Sequence, residues 1–278
     1  MTVVSAVLAC SLAPSVAGSP PEQLPADAAI CPVVYRLDES PSSHGYHYAF
    51  FGNAFFINEQ GYLLTDAHVL ETFRDGGQPY LILRRPNAPP RLLPAAVVAS
   101  DSQHDVAILR ITPNPFAGRY RVTFLPLATN PAAPGQSVIA LSLHPNHLQN
   151  AQSMEAPRED RSPGKVLSYE STQLEKTAPA SKLFLLSHSV TRGQSGSPVL
   201  TSDALSVVGI IEGRWLRSLP AAAAKSPSQA SSIPGAATPI EYAIALLQRQ
   251  NINWHAYPPA ATPPSQRLLK PSSPSAPR

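Results

Sequence analysis

Gly193-Gln194-Ser195-Gly196-Ser197-Pro198 is the stretch on which the reading of this chain turns. A serine hydroxyl is a poor nucleophile at neutral pH, and it reacts only with an adjacent base and with donors aimed at the developing oxyanion. Gly193 leaves its backbone N–H unobstructed, and Gly196 permits a tight turn behind Ser195. The Gly-x-Ser-x-Gly elbow of the α/β-hydrolases is not what is written here, because Ser197 stands where the last glycine would be. Alone, such a segment is more commonly an ordinary Gly/Ser-rich turn, so its meaning depends on what accompanies it.

Two further segments offer the missing chemistry. Leu64-Thr65-Asp66-Ala67-His68-Val69 is an extended apolar run ending in a histidine and followed by a short amphipathic turn. A base for proton transfer must titrate near neutrality and be fixed in orientation, and histidine meets the first requirement unaided. The chain has seven other histidines (His44, His47, His104, His144, His147, His188 and His255), and a single one in this setting is more often structural. His104-Asp105-Val106-Ala107-Ile108-Leu109 sets an aspartate at the mouth of an apolar strand. Buried there with only its carboxylate edge free, Asp105 suits the holding of an imidazole in one tautomer. A plain strand-start aspartate fits that segment equally well. Asp101 is the nearest rival, without an apolar strand behind it. The three together, in the order His, Asp, Ser, are far more specific than any one.

With Gly52-Asn53-Ala54-Phe55-Phe56-Ile57 before the histidine and Val207-Val208-Gly209-Ile210-Ile211 after the serine, residues from about 45 to 250 resemble the trypsin-like serine peptidases. The likeness is strongest to bacterial HtrA (Deg) proteases and glutamyl endopeptidases. It implies an all-β, chymotrypsin-like fold: two six-stranded antiparallel β-barrels, the active site in the cleft between them, and a C-terminal helix. It also implies His68 as general base, Asp105 as its orienting carboxylate and Ser195 as nucleophile, with the N–H groups of Gly193 and Ser195 forming the oxyanion hole. The implied activity is serine endopeptidase hydrolysis of protein or peptide substrates through an acyl-enzyme, with no metal and no organic cofactor. The alternative is a catalytically silent trypsin-like domain used for protein binding, against which the intact set of three residue types speaks. Two departures stand out: Gln194 replaces the usual Asn or Asp, and Ser197 replaces a frequent Gly, as in the glutamyl endopeptidases. Fewer than 30 residues follow the helix candidate, so the peptide-binding PDZ domain of HtrA proteins is expected to be absent.

The resemblance also places the specificity pocket, as Ser189, Ile211 and Gly213. Ser189 stands where a trypsin-like enzyme carries a carboxylate, and Ile211 where glutamyl endopeptidases carry a histidine. Neither basic nor acidic residues are then favoured, and an apolar wall rewards each buried methylene by about 0.8 kcal/mol. Cleavage after small or medium aliphatic residues is the expectation, unless Glu212 turns its carboxylate into the pocket.

Composition limits the alternatives. The 278 residues are 43% hydrophobic and 14% charged, with a net charge of only +3 and no basic cluster, which argues against nucleic acid as a partner. Thirty-two prolines suit a loop-rich β domain rather than a helical bundle. Residues 1–30 read as a leader and Pro-rich linker, 31–256 as the peptidase domain and 257–278 as a disordered Pro/Ser-rich tail. The uncharged apolar start, followed by Ser15-Val16-Ala17, has the form of a signal peptide, so a secreted or periplasmic location is expected. Val7-Leu8-Ala9-Cys10 also has the form of a lipobox, and a lipidated Cys10 is the one expected route to a membrane. Cys10 and Cys31 both precede the expected core, which is therefore read as lacking a disulfide framework. Strands are expected over 46–57, 62–65, 80–83, 95–99, 106–111, 137–142, 182–186, 198–200 and 205–211, a helix over 239–250, and a long surface loop over 219–237.

Overall fold

The six residues Val106–Ile111 show why the apolar runs are continuous rather than alternating. Val106 and Ile108 face a hydrophobic layer shared with the second half of the chain, while Ala107, Leu109 and Ile111 face the interior of the first half. Successive side chains of a strand point to opposite sides, so a strand between two cores must be apolar at nearly every position. Arg110 alone is exposed, lying over the ring of Tyr62.

The computed structural model describes residues 26–37, 47–73, 76–85, 88–114, 123–145, 157–172, 180–203, 205–215 and 233–257. The leader with Cys10, part of the expected 219–237 loop and the Pro/Ser-rich tail lie outside these residues. Strands β1 (Ile30–Arg36), β2 (Tyr48–Phe56), β3 (Tyr62–Thr65), β4 (Pro79–Arg85), β5 (Ala88–Asp101) and β6 (Val106–Ile111) form a closed antiparallel barrel in the order β1-β2-β3-β6-β5-β4. After the short β7 (Leu127–Ala128) come β8 (Ser137–His144), β9 (Arg158–Thr172), β10 (Ser181–Leu186), β11 (Pro198–Thr201), β12 (Val207–Arg214) and β13 (Gly235–Pro239). They close a second barrel in the order β11-β8-β9-β10-β13-β12, with β7 and the terminal β14 (Ala256–Tyr257) added in parallel beside β12. The fold is the expected chymotrypsin-like pair of six-stranded barrels. The one α-helix among the described residues, α1 (Ile240–Arg249), is one residue shorter at each end than the expected 239–250.

Three apolar layers hold this together. Phe56, Leu63, Leu81 and Leu109 fill the first barrel, and Phe184, Val199 and Ile211 the second. Between them Phe55, Leu64 and Ile108 meet Leu141, Leu143, Leu200 and Ile210, with Leu246 and Leu247 of α1 in the same layer. Burying one large aliphatic or aromatic side chain contributes about 1.5–3 kcal/mol, so this middle layer fixes the two barrels against each other.

Two expectations need correction. Cys31 does not precede the core: it lies in β1, fully buried among first-barrel residues. Residues 235–237 are not surface loop but the start of β13, buried between β10 and β12, where only small side chains fit.

Candidate active site

His68 opens a short 3-10 turn, His68–Phe73, directly after β3, and Val69, Leu70 and Phe73 anchor that turn in the first-barrel core. Asp105 sits immediately before β6 with φ of +52°, a left-handed conformation costing an L-residue about 1–3 kcal/mol. That conformation lets one carboxylate grip both parts of the histidine. Oδ1 accepts the His68 backbone N–H at 2.8 Å, and Oδ2 lies 2.6 Å from Nδ1. An Nδ1–H donated to Asp105 leaves Nε2 as the proton acceptor. Burial opposes charging of the imidazole, but the hydrogen bond and charge of Asp105, with the charges of Glu212 and Glu71, outweigh it and raise the pKa above its ordinary value. Asp101 takes no part in this pair. Its carboxylate accepts the His104 backbone N–H, contacts His104 Nδ1 at 3.0 Å and pairs with Arg249 of α1.

Ser195 lies in the turn before β11. Gly193 has φ of +93° and Gly196 φ of +77°, both in the left-handed region that glycine tolerates. A side chain at Gly196 would also meet the Asn53 carbonyl oxygen at 2.0 Å. Gln194, Gly196 and Ser197 donate their amides to Thr191, Ile211 and Gln194 carbonyls, whereas those of Gly193 and Ser195 have no acceptor among the described residues. Two unengaged amides flanking a serine are donors able to receive an oxyanion. The Ser195 hydroxyl donates to the Glu212 carbonyl at 3.2 Å rather than to the imidazole.

Three further residues position this turn. Asn53, fully buried on β2, donates its backbone N–H to Ser195 O at 2.8 Å and its Nδ2 to Gly193 O at 3.0 Å. Its Oδ1 accepts the Leu143 N–H at 3.2 Å, so one side chain of the first barrel ties down both the turn and β8 of the second. Asp66, also fully buried, accepts the Gly196 N–H on Oδ2 at 2.7 Å. Gln194 accepts the Thr191 N–H at 2.7 Å and donates to Ser142 Oγ and Asp160 Oδ2, closing the turn from within. Asn53 and Asp66 lie within the segments Gly52–Ile57 and Leu64–Val69, whose local pattern assigns neither of them a role. The available signal is that Asn53 is the one polar side chain in the run Phe50–Phe56, and that Asp66 is a carboxylate directly after the run Tyr62–Thr65.

Around the expected specificity pocket, Ser189 and Gly213 are half-buried, and a side chain at Gly213 would meet nothing within 4 Å. Ile211 is fully buried in the second-barrel core, so its side chain backs this region rather than forming its surface. The Glu212 charge acts on both His68 and Asp66 and raises the pKa of each.

Asp66, His68 and Asp105 also bring one potential metal-ligating atom each to within 4.8 Å of one another. The 2.6 Å contact between His68 and Asp105 is a hydrogen bond, shorter than the roughly 3.3 Å between two ligands of a tetrahedral zinc ion.

A profile of the trypsin-like peptidase domain matches residues 52–210, more than half of the chain. The chain belongs to the trypsin-like peptidase family. Among solved structures, the HtrA-type protease AlgW with a decapeptide matches with a TM-score of 0.57 at 18% identity, covering 80% of this chain and 64% of that one. The Rv3671c protease from M. tuberculosis in its active form matches with a TM-score of 0.55 at 16% identity, over 83% and 84% of the two chains. This trypsin-like chain therefore spans less than two thirds of the AlgW chain, and at these identities the likeness is one of fold. No curated protein sequence matches it.

Proposed function

We propose that this chain is a serine endopeptidase in which Ser195 attacks the peptide carbonyl, His68 moves the proton and Asp105 orients His68. The observation that supports this most is the doubly held histidine, contacted by Asp105 at its backbone N–H and at its ring Nδ1, together with the amides of Gly193 and Ser195, which have no acceptor among the described residues. In the reaction the Ser195 hydroxyl rotates about χ1 from the Glu212 carbonyl to Nε2 of His68 and yields its proton there. Its Oγ bonds to the carbonyl carbon, and the oxyanion is received by the Gly193 and Ser195 amides. Returning the proton to the amine expels the leaving group, and water then repeats the sequence on the acyl-enzyme.

A fluorophosphonate probe should label Ser195 and leave Ser195→Ala untouched. Failure of the native protein to label would instead favour a silent trypsin-like domain that binds proteins. On specificity, the absence of a carboxylate at Ser189 and the open Gly213 support cleavage after Val, Ala or Leu. Profiling a mixed peptide library tests this, and a majority of cuts after Arg, Lys or Glu would overturn it. Export is part of the same reading. Intact mass of the natural protein should show cleavage after Ala17, whereas an acylated Cys10 would point to a lipoprotein.

A further inference from the structure

The peptide unit that follows the nucleophile is held from both edges by the first barrel. Its carbonyl, Ser195 O, accepts the Asn53 N–H at 2.8 Å, and its N–H, on Gly196, donates to Asp66 Oδ2 at 2.7 Å. The same N–H also reaches Ile211 O at 3.0 Å within its own barrel, so Asp66 adds the cross-barrel half of a shared bond. Asp66 is 0% exposed, its Oδ2 lies 4.0 Å from His68 Nδ1, and its Oδ1 has no hydrogen-bond partner among the described residues. A buried acid with one oxygen unsatisfied costs stability.

We propose, on the basis of the peptidase reading above, that Asp66 is a positioning residue: it fixes the backbone of the nucleophile relative to the base by joining His68's own segment to Gly196. Two residues before the base, it is bound to the residue that follows the nucleophile, and so links the two barrels beside the reacting groups. A displacement of about 1 Å between reacting groups can cost on the order of a hundredfold in rate, so a strut between base and nucleophile has leverage. The groups facing it are His68 on the 3-10 turn, Asp105 before β6, Glu212 on β12 and the Gly196 amide. Burial, then the charges of Asp105 and Glu212, push its carboxyl well above the usual range, against the Gly196 hydrogen bond.

Asp66→Asn keeps an acceptor of the same shape for Gly196, and Asp66→Ala removes it. The full chain, labelled with ¹⁵N-glycine, is examined in both variants for the Gly196 amide resonance and for kcat and KM on a peptide substrate. In D66A the Gly196 proton should move upfield, and kcat should fall about 10- to 100-fold with KM little changed. D66N should recover kcat to within a few-fold, keep the resonance in place and leave the acid limb of the pH profile where it was. If D66A does not fold, Asp66→Ser, too short to reach Gly196, is measured with the same expectations. Wild-type kcat in D66A, a D66N as impaired as D66A, or an acid limb lowered by a full unit in D66N would each overturn the proposal. The Gly196 resonance needs no turnover. A wild-type protein that labels no serine would therefore sink the peptidase reading while the Asp66–Gly196 tie was still decided.

Discussion

Asp105 and Asp101 stand four positions apart, and their surroundings assign them different work. Asp105→Asn should lower kcat by on the order of 10⁴-fold, because an amide facing Nδ1 no longer selects the tautomer that leaves Nε2 free. Asp101→Asn should leave kcat near that of the native chain and lower the melting temperature instead, since it loosens His104 and Arg249. Steady-state rates and melting curves of the two variants separate these outcomes. The pH profile carries a second prediction. With the His68 pKa raised, the acid limb of kcat/KM should lie above the ordinary histidine value of about 6.5. Only the neutral imidazole accepts the serine proton, so activity rises as pH climbs through that limb. Glu212→Gln, removing one of the charges that favours the imidazolium, should move the limb downward, and an unmoved limb would place Glu212 elsewhere. The segments around His68, Asp105 and Ser195 stand out in sequence because each interrupts a distinctive local pattern, and the structure brings His68 and Asp105 into contact. Asn53 and Asp66 were not, because their partners Gly193 and Gly196 lie on the other barrel, and no local pattern encodes that approach.

Among the elements, strands with two buried faces announced themselves as apolar runs, and Tyr62–Thr65 and Val106–Ile111 are found at the expected bounds. Arg158–Thr172 gave no such signal. This longest strand, β9, carries Arg158, Glu159, Asp160, Arg161 and Lys165, with Val166 and Thr172 as its only fully buried positions from Arg158 onward. A strand that leans one edge on β8 and shows charges to solvent lacks the hydrophobic content that marks its neighbours. β13 hid for the opposite reason. Gly235-Ala236-Ala237 reads as the end of a loop and Pro239 as the start of the helix, yet all five residues of β13 are buried between β10 and β12, where Gly235 donates to His188 O. Small side chains are what that gap accommodates, so Ala237→Leu should destabilise the protein by about 1–3 kcal/mol through overpacking, measured by denaturant unfolding. A neutral result would mean that the second barrel is looser there than its packing indicates.

At the scale of the whole molecule, the proposed nucleophile Ser195 and the proposed base His68 belong to different barrels, and the layer of Phe55, Leu64, Ile108, Leu141, Leu143 and Ile210 keeps them in register. Gradual denaturant should therefore abolish fluorophosphonate labelling no later than the far-ultraviolet signal of the strands. Labelling that outlasts the strand signal would show that the cleft does not depend on barrel docking. Cys31 gives the same architecture a different readout. Its thiol is a free one within β1, and burial suppresses its acidity far beyond that of an exposed cysteine. The thiolate is the form that reacts with alkylating or disulfide reagents, so it forms at a useful rate only when the first barrel opens. In a Cys10→Ser chain, the rate at which a maleimide or an aromatic disulfide modifies the protein then measures the opening frequency of that barrel under native conditions, before any unfolding is visible. The molecule carries an internal clock for its own breathing, set in a strand that touches none of the reacting groups.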